Sequence, residues 1–454
     1  MTTANDFAQE HAERFRQELI DFLKIPSIST DADYAAEVRR AAAWLADHMR
    51  DIGLSAEVID TDSHPIVYGE WRNAGPEAPT VLIYGHYDVQ PADEADGWDN
   101  DPFEPVERDG KIYARGATDD KGQMFTHVKA VESMLKAEGR LPVNVKLLIE
   151  GEEESGSGGL TQFVTANPDK LTADVCVISD SSMPDINQPV IIYALRGITA
   201  AEIHVSGPAQ DLHSGMYGGS VHNPAQALAE IVAQLHNPDG SVAVPGFYDD
   251  VRPLSEAERA EIARLPWSED AWRSITGAPQ PWGEPEYSLR ERVGARPTLE
   301  ITGIGGGYTG NGFKAIVPAE ARAKILCRLV ADQDPARIVE AIKSYVQQIA
   351  PPTVHVEVTG SIGAPAVQVD IDNPAMDVAR SAYEKGWGSA PVFMREGGSI
   401  PIVGVFQQAL GVPVVMMGFG LNSDNLHGPN EHFSVEMFHR GINTAIAFLR
   451  EIAS

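Results

Sequence analysis

The chain has 454 residues, of which 65 are Asp or Glu and 35 are Lys or Arg, so its formal net charge is −30. This balance argues against nucleic-acid and anionic-membrane partners, because phosphate binding relies on clustered cations. No apolar run approaches the roughly 18 residues that a membrane span requires.

The first residues and the cysteines bear on location. The start, MTTANDFAQEHAERF, has neither a basic segment nor an apolar one, so we expect no signal peptide. Cys176 and Cys327 fit two free buried thiols in a reducing cytosol, and a single disulfide is the alternative. We therefore predict a cytoplasmic protein.

In chain order, the first 196 residues alternate helical runs with apolar β-type runs. Helical spacing of apolar residues predicts the helices, and short Val- and Ile-rich runs predict the strands. This alternation favours an α/β fold with a mixed or parallel sheet flanked by helices. Helices are predicted near 7–23, 34–52, 121–137 and 159–166, and strands near 56–60, 66–71, 80–88, 143–150 and 173–179.

The middle of the chain has a different order: strand, helix, a segment rich in Pro, Trp and charge at 237–297, then strands, a helix and a strand. This order predicts a small α+β unit with one sheet and two helices. The remainder returns to α/β character. We therefore predict one catalytic domain in two segments, 1–196 and 364–454, with a second domain inserted at 197–363. One polar helix is expected in the Pro- and Trp-rich segment, near 255–265.

Side chains with metal-binding chemistry follow the apolar strands. His86 leaves the strand TVLIY, and Asp88 is placed to hold its second ring nitrogen, although a surface His beside an Asp turn is an equal alternative. In RGATDDKG, Asp119 and Asp120 stand at a strand-to-helix junction, where a helix N-cap would explain one of them. Asp180 ends the strand VCVIS in the same way.

Two further loops add donors of the same kind. Glu152, Glu153 and Glu154 follow the strand VNVKLLI, and the alternative is a solvated acidic turn. His427 lies in NLHGPNE, again after an apolar run. Nitrogen and oxygen donors without a thiolate suit Zn²⁺, Mn²⁺ or Co²⁺ in a hydrolytic site.

Five motifs in order, GHYDVQP, RGATDDKG, EGEEESGSGG, DLHSGMYGG and NLHGPNE, resemble the M20 family of di-metal peptidases. They are most similar to its carnosinase and cytosolic non-specific dipeptidase branch, and the resemblance runs from His86 to Glu431. It implies that His86 and Asp180 bind one metal ion, that Glu154 and His427 bind a second, and that Asp119 bridges both. The two ions would be Zn²⁺ first, with Mn²⁺ or Co²⁺ as alternatives.

The resemblance also implies the catalytic roles. Glu153 would be the general base that takes a proton from a metal-bridging water, with Asp88 as a supporting catalytic residue and Glu152 outside the chemistry. His213, in DLHSG, would reach across a homodimer into the partner subunit's site and stabilise the oxyanion there, so the inserted domain would serve as lid and dimerisation domain. A strand-end His with a local hydrogen bond is the alternative. A cis peptide bond is expected after Asp119.

The implied reaction is hydrolysis of dipeptides or very short peptides with a free C-terminal carboxylate. A fixed guanidinium suits such a carboxylate. An N-acyl amino acid deacylase with the same site is the runner-up, and a non-catalytic binding protein of the same fold is the alternative from another class. The predicted substrate-binding residues are Arg328, Glu396, Gly398, Ser399 and Asn311.

Overall fold

The computed structural model of the protein describes residues 2–398 and 400–454, and within these ranges no helix has the length and apolar character to cross a bilayer. The helices are α1 Ala4–Glu10, α2 Ala12–Leu23, α3 Ala35–Ile52, α4 Lys121–Glu138, α5 Gly158–Ala166, α6 Pro168–Leu171, α7 Ser214–Tyr217, α8 Pro224–Ala233, α9 Glu256–Ala263, α10 Glu269–Thr276, α11 Leu289–Ala295, α12 Pro335–Ile349, α13 Pro374–Trp387, α14 Ile402–Leu410 and α15 Val435–Glu451.

The strands of the described ranges are short. They are β1 Ser55–Ile59, β2 Ile66–Trp71, β3 Thr80–His86, β4 Val106–Arg108, β5 Lys111–Tyr113, β6 Asn144–Glu150, β7 Val175–Ile178, β8 Ser182–Met183, β9 Val190–Leu195, β10 Gly197–Ser206, β11 Leu212–His213, β12 Thr298–Gly306, β13 Ile316–Val317, β14 Glu320–Leu329, β15 His355–Ile362, β16 Val367–Gln368, β17 Val392–Glu396, β18 Val414–Met416, β19 Gly420–Leu421 and β20 His432–Ser434.

Among the described residues, nine strands form one mixed sheet in the order β1-β2-β6-β3-β7-β18-β9-β16, with β17 also paired to β9. Strands β6, β3, β7 and β18 are parallel neighbours. Their Val-, Ile- and Leu-rich runs are almost completely buried, as expected for strands covered on both faces. Helix α3 packs on β1 and β2, α4 packs on β3, and α13 and α14 pack on β18. The predicted α/β fold with a mixed sheet flanked by helices is confirmed.

A second, antiparallel sheet has the order β12-β14-β10-β15 in the described part of the chain. Buried residues alternate with half-buried ones along β10, and with exposed or half-buried ones along β14, because α8 and α12 cover one face of this sheet. The large sheet takes its strands from 55–195 and 367–416, and the small sheet from 197–362. We retain the division into 1–196, 197–363 and 364–454 as a proposal that this arrangement supports.

The Pro- and Trp-rich segment differs from its prediction, because it contains α9, α10 and α11 rather than a single helix. These helices are only seven or eight residues long and have few buried side chains, so each is too short to show the repeated apolar spacing that marks longer helices. Serine N-caps at their starts, such as Ser268 and Ser288, are the signal that could have revealed the two missed helices.

The same segment packs back onto the large sheet. Arg395 on β17 forms an ion pair with Glu258 on α9, and its Nε donates a 2.8 Å hydrogen bond to the Tyr193 hydroxyl. Gly294 on α11 lies so close to β17 that a Cβ there would be 2.7 Å from the Arg395 carbonyl oxygen. These contacts fix the end of β17, where Glu396 lies, against the inserted segment.

Candidate metal centre

The central strands of the large sheet bring the predicted donors together. Strands β6, β3 and β7 are adjacent and parallel, so their carboxyl ends meet at one edge. His86 is the last residue of β3, Asp180 follows β7, and the Glu153–Ser155 turn follows β6. His427 reaches the same place from the loop between β19 and β20.

Asp119 lies at the centre of this cluster. Its Oδ1 is 3.1 Å from His86 Nε2, and its Oδ2 is 2.9 Å from His427 Nε2. Asp180 Oδ2 is 3.9 Å from His86 Nε2, and Glu154 Oε2 is 3.4 Å from His427 Nε2. The donor atoms therefore form two groups, each within 4.8 Å, that share Asp119. The structure brings together all five residues that were predicted as metal ligands, and their role as ligands remains our proposal.

Backbone packing holds the loop that carries Asp119. The Asp119–Asp120 peptide bond is cis, as the family resemblance implied. Gly122 opens the following helix so tightly against the loop that a Cβ would lie 1.9 Å from the Ala117 carbonyl oxygen. Only glycine therefore fits at this place in the RGATDDKG motif.

Asp88 is completely buried and contacts two parts of the site. His86 Nδ1 lies 3.1 Å from the Asp88 carbonyl oxygen and 3.3 Å from its carboxylate, so its Nε2 faces Asp119. The same carboxylate accepts hydrogen bonds of 3.1 Å from the backbone N–H groups of Glu153 and Glu154. Asp88 thus contacts the His86 ring and also holds the Glu153–Glu154 turn, a contact that sequence reasoning missed; its role in the site remains our proposal.

The carboxyl groups of the cluster differ in the direction in which their pKa values are shifted. Burial, together with the negative charges of Asp180 and Glu154, raises the pKa of the Glu153 carboxyl above its usual range. Burial also opposes ionisation of Asp119, but hydrogen bonds from His427 and His86 outweigh it and lower the pKa of that carboxyl. Carboxyl groups whose pKa values are pushed apart in this way are typical of sites in which one holds charge and another exchanges a proton.

The donor set fits divalent cations. The two groups contain three carboxylates, from Asp119, Glu154 and Asp180, and two imidazoles, from His86 and His427, and such oxygen and nitrogen atoms are common ligands of divalent metal ions. Glu154 Oε1 is buried and, among the described residues, has no hydrogen-bond partner. An oxygen of this kind requires a partner, and a metal ion supplies one.

Gln90 is a contact that sequence reasoning missed. Its Nε2 donates a 2.7 Å hydrogen bond to Glu154 Oε2, the oxygen that also faces His427. Gln90 follows His86 by four residues in GHYDVQP, so its place in that motif was the available signal.

Glu152 faces away from the donor groups, and its Oε1 accepts hydrogen bonds from the backbone N–H groups of Gly159 and Leu160 at the start of α5.

Another group of potential ligands, Glu18, His48 and Glu132, has a different explanation. The fully buried ammonium of Lys129 lies among them, 2.8 Å from Glu132 Oε2 and 2.7 Å from His48 Nε2, and it also pairs with Glu18. A cation of the chain itself already occupies the centre of this group. We therefore interpret it as a buried ion-pair network.

Replacing Lys129 by Met should lower the free energy of unfolding by about 2 kcal/mol, because the buried Glu132 loses a charged hydrogen-bond donor and keeps only Arg14 as its ion-pair partner among the described residues. Urea denaturation measures this change. Lys24→Met is the matched control, since the Lys24–Asp21 pair is about half exposed and should contribute less than about 1 kcal/mol. Equal, small losses in both variants would contradict the network.

The other predicted site residues fall into two places. Burial and the positive charge of Arg328, on β14, lower the pKa of the Arg196 guanidinium, and the negative charge of Glu396, at the end of β17, raises it. The backbone N–H of Arg196 donates a 3.0 Å hydrogen bond to the Gly398 carbonyl oxygen. Ser399 lies outside the described residues.

His213 and Asn311 are exposed on the inserted segment, and the His213 ring accepts a 3.0 Å hydrogen bond from the Gly215 N–H. Within the described chain, neither belongs to the two ligand groups.

A mixed α/β sheet that gathers imidazoles and carboxylates at its strand ends is typical of metal-dependent hydrolases. The sequence model of the peptidase family M20/M25/M40 matches residues 82–451, and the chain belongs to this family. The predicted family is thereby confirmed, as is the prediction that the chain is an enzyme.

Full-length relatives carry dipeptidase names. The chain is 33% identical over 458 residues to the Cys-Gly metallodipeptidase dug1 of Schizosaccharomyces pombe, covering 95% of this chain and 94% of that protein. It is 30% identical to the Beta-Ala-His dipeptidase of Homo sapiens, with 98% and 91% covered. The crystal structure of human carnosine dipeptidase 1 is similar with a TM-score of 0.84 at 30% identity, covering 99% of this chain and 98% of that one. An M20 family metallo-carboxypeptidase, Sso-CP2 from Sulfolobus solfataricus, also has a TM-score of 0.84, at 32% identity, with 97% and 99% covered.

Proposed function

We propose that the protein is a metal-dependent dipeptidase that hydrolyses dipeptides or very short peptides with a free C-terminal carboxylate. One observation carries this proposal: Asp119 is shared by two groups of donors, and Glu153 lies beside them on the turn that Asp88 holds. The dipeptidase names of relatives that match almost the whole chain support the substrate class.

Two divalent ions are proposed, Zn²⁺ first and Mn²⁺ or Co²⁺ as alternatives. His86, Asp180 and Asp119 would hold one, and His427, Glu154 and Asp119 the other. The three carboxylates contribute −3 against +4 from the ions, so the site would be close to neutral with one further anion. Bound ions of this kind acidify water and stabilise negative charge on a carbonyl oxygen.

The residues of the chain would supply the remaining functions. Glu153, whose pKa is raised by burial, would take the proton from the attacking water and deliver it to the leaving amine. Asp88 would keep the Glu153 backbone in place. The Arg328 guanidinium would bind the substrate carboxylate, with Glu396, Gly398, Ser399 and Asn311 as further proposed contacts.

The decisive experiment is removal of metal followed by reconstitution. We expect chelator-treated protein to lose dipeptide hydrolysis, to recover it with Zn²⁺, Mn²⁺ or Co²⁺, and to show a higher Tm when the ion is bound. The assay panel should contain dipeptides and N-acyl amino acids, so that the deacylase alternative is tested in parallel. Absence of chelator-sensitive hydrolysis across this panel would reject the proposal.

A homodimer is part of the proposal. His213 lies on β11, which pairs with β13, and the loop from β12 to β13 ends beside it. Large apolar side chains are exposed nearby: Phe313, in the loop from β12 to β13, is fully exposed, and Met216, on α7 directly after β11, is 73% exposed. Exposed apolar groups in such number favour a protein partner, and a second copy would place His213 near the partner's site.

A cytoplasmic location also remains a prediction, supported by the free thiols of Cys176 and Cys327.

His213→Ala should lower kcat by about 10²-fold, the effect of losing one donor to the oxyanion. His204, which pairs with Glu320 on the same inserted segment, offers the control His204→Ala, for which we expect near-normal turnover.

Mixing His213→Ala with Glu153→Gln tests whether His213 acts across the dimer. A mixed dimer would combine one intact Glu153 with the partner's intact His213, so activity should rise well above that of either variant alone. Complete absence of this rescue, with mixed dimers demonstrated by mass, would show that His213 does not act across the dimer.

A further inference from the structure

Glu431 is a fully buried carboxylate at the end of the NLHGPNE loop. Its Oε1 accepts hydrogen bonds from the backbone N–H groups of Thr118, at 3.0 Å, and Asp119, at 3.1 Å. Its Oε2 accepts from Arg115 Nη1, at 2.8 Å, and from the Gly116 N–H, at 3.0 Å. Four donors therefore occupy the four acceptor positions that an ionised carboxylate offers.

Arg115 is the charged partner of Glu431 and is also buried. Besides the ion pair, its Nη2 donates a 3.2 Å hydrogen bond to the His427 carbonyl oxygen, and its guanidinium lies over the Trp98 ring at 5.3 Å. His427 itself has a left-handed backbone with φ of 58°, which a non-glycine residue adopts only when its surroundings hold it there.

The two charges thus connect the loops that carry two of the proposed ligands. Glu431 fixes the backbone of Asp119, and Arg115 fixes the backbone of His427, although the two loops are more than 300 residues apart in the sequence. Neither Glu431 nor Arg115 belongs to either group of donor atoms among the described residues. A buried pair of this kind is tolerated because each partner and the surrounding N–H groups compensate the charge.

We propose that Arg115 and Glu431 form a positioning pair that sets the distance between Asp119 and His427, and so determines metal affinity. The inference rests on the proposed function only in that the site must bind divalent ions. It assigns no contact with substrate to either residue. Because Asp119 is common to both donor groups, a change in this pair should weaken binding of both ions.

Glu431→Gln is the sharpest variant. The amide has nearly the same size, but its NH₂ group must face either Arg115 and the Gly116 N–H or the N–H groups of Thr118 and Asp119. Donors then face donors on one side, and the loop must shift. We expect affinity for Zn²⁺ to fall by about 10- to 100-fold, as for other residues that orient metal ligands.

The control is Glu150→Gln. Glu150 is equally buried at the end of β6, but among the described residues its carboxylate accepts hydrogen bonds only from the hydroxyls of Tyr84 and Ser157, neither of which is a proposed ligand. Its Zn²⁺ affinity should stay within about two-fold of the unaltered protein. Arg115→Lys, which keeps the charge but loses the fork that reaches His427, is a second, milder variant with an expected loss of about 10-fold.

Affinity is measured by competition with a chromophoric chelator, and circular dichroism of the metal-free proteins checks that each variant is folded. Weaker Zn²⁺ binding by folded Glu431→Gln and Arg115→Lys, with Glu150→Gln unchanged, supports the positioning pair. Unchanged affinity in folded Arg115→Lys, or an equal loss in Glu150→Gln, overturns it. Because affinity is read without substrate, a protein that binds Zn²⁺ but cleaves no dipeptide would reject the proposed function and leave this test intact.

Discussion

Glu153→Gln should lower kcat for dipeptide hydrolysis by about 10³-fold, within the range for loss of a general acid–base residue. Glutamine keeps the shape of the side chain and the backbone N–H that donates to Asp88, so the turn should stay in place. What is lost is the group that takes up and returns a proton. The effect should therefore appear in kcat, with little change in KM or in the amount of bound metal.

The chain offers a closely matched control one residue earlier. Glu152 carries the same carboxylate, but it accepts hydrogen bonds from Gly159 and Leu160 and faces away from the donors. Glu152→Gln keeps an acceptor oxygen for these N–H groups and should retain most of its turnover. If the two variants lost activity equally, Glu153 would not be the base, and the acidic turn would have only a structural role.

Asp119→Asn should remove activity almost completely and deplete both metal ions. The neutral amide replaces the carboxylate that faces both His86 and His427, and its NH₂ group offers no lone pair to a cation. Asp180→Asn and Glu154→Gln each touch only one donor group, so each should deplete mainly one ion.

Metal content per chain, measured by mass spectrometry after dialysis against buffered Zn²⁺, distinguishes these outcomes. We expect about two ions in the unaltered protein, about one in each single-group variant, and fewer than one in Asp119→Asn. The three variants should also differ in stability, because bound ions stabilise the folded state. A single ion retained fully by Asp119→Asn would contradict the shared position of this residue.

The order of apolar runs was sufficient to predict the α/β fold and the place of the centre. Strands β3 and β6 are almost fully buried, and the predicted donors stand at their carboxyl ends or directly after them. Parallel strands bring these ends to one edge, which is why the residue order predicts that His86, the acidic run 152–154 and Asp180 lie together. The choice of Glu154 from that run came from the family resemblance. The apolar composition of the strands and the meeting of parallel strand ends at one edge were enough to predict the fold and the position of the centre.

Three features depended on tertiary packing. The family resemblance placed Glu152 outside the chemistry, but only the fold shows its contacts, since Glu152 accepts hydrogen bonds at the start of α5 while Glu154 lies with the donors. The cluster of Glu18, His48 and Glu132 has metal-binding composition, yet it surrounds the ammonium of Lys129. Three short capped helices occupy a segment in which one was predicted.

The sequence by itself therefore determined the class of chemistry, since residue types and their positions after buried strands restrict what a site can bind. The tertiary structure alone decided which carboxylate faces which partner. Side-chain direction at a strand end, and pairs such as Arg115 with Glu431, depend on the packing of segments that are far apart in the chain. No local pattern records such contacts, because the free energy that fixes them comes from burial and charge compensation in the folded state.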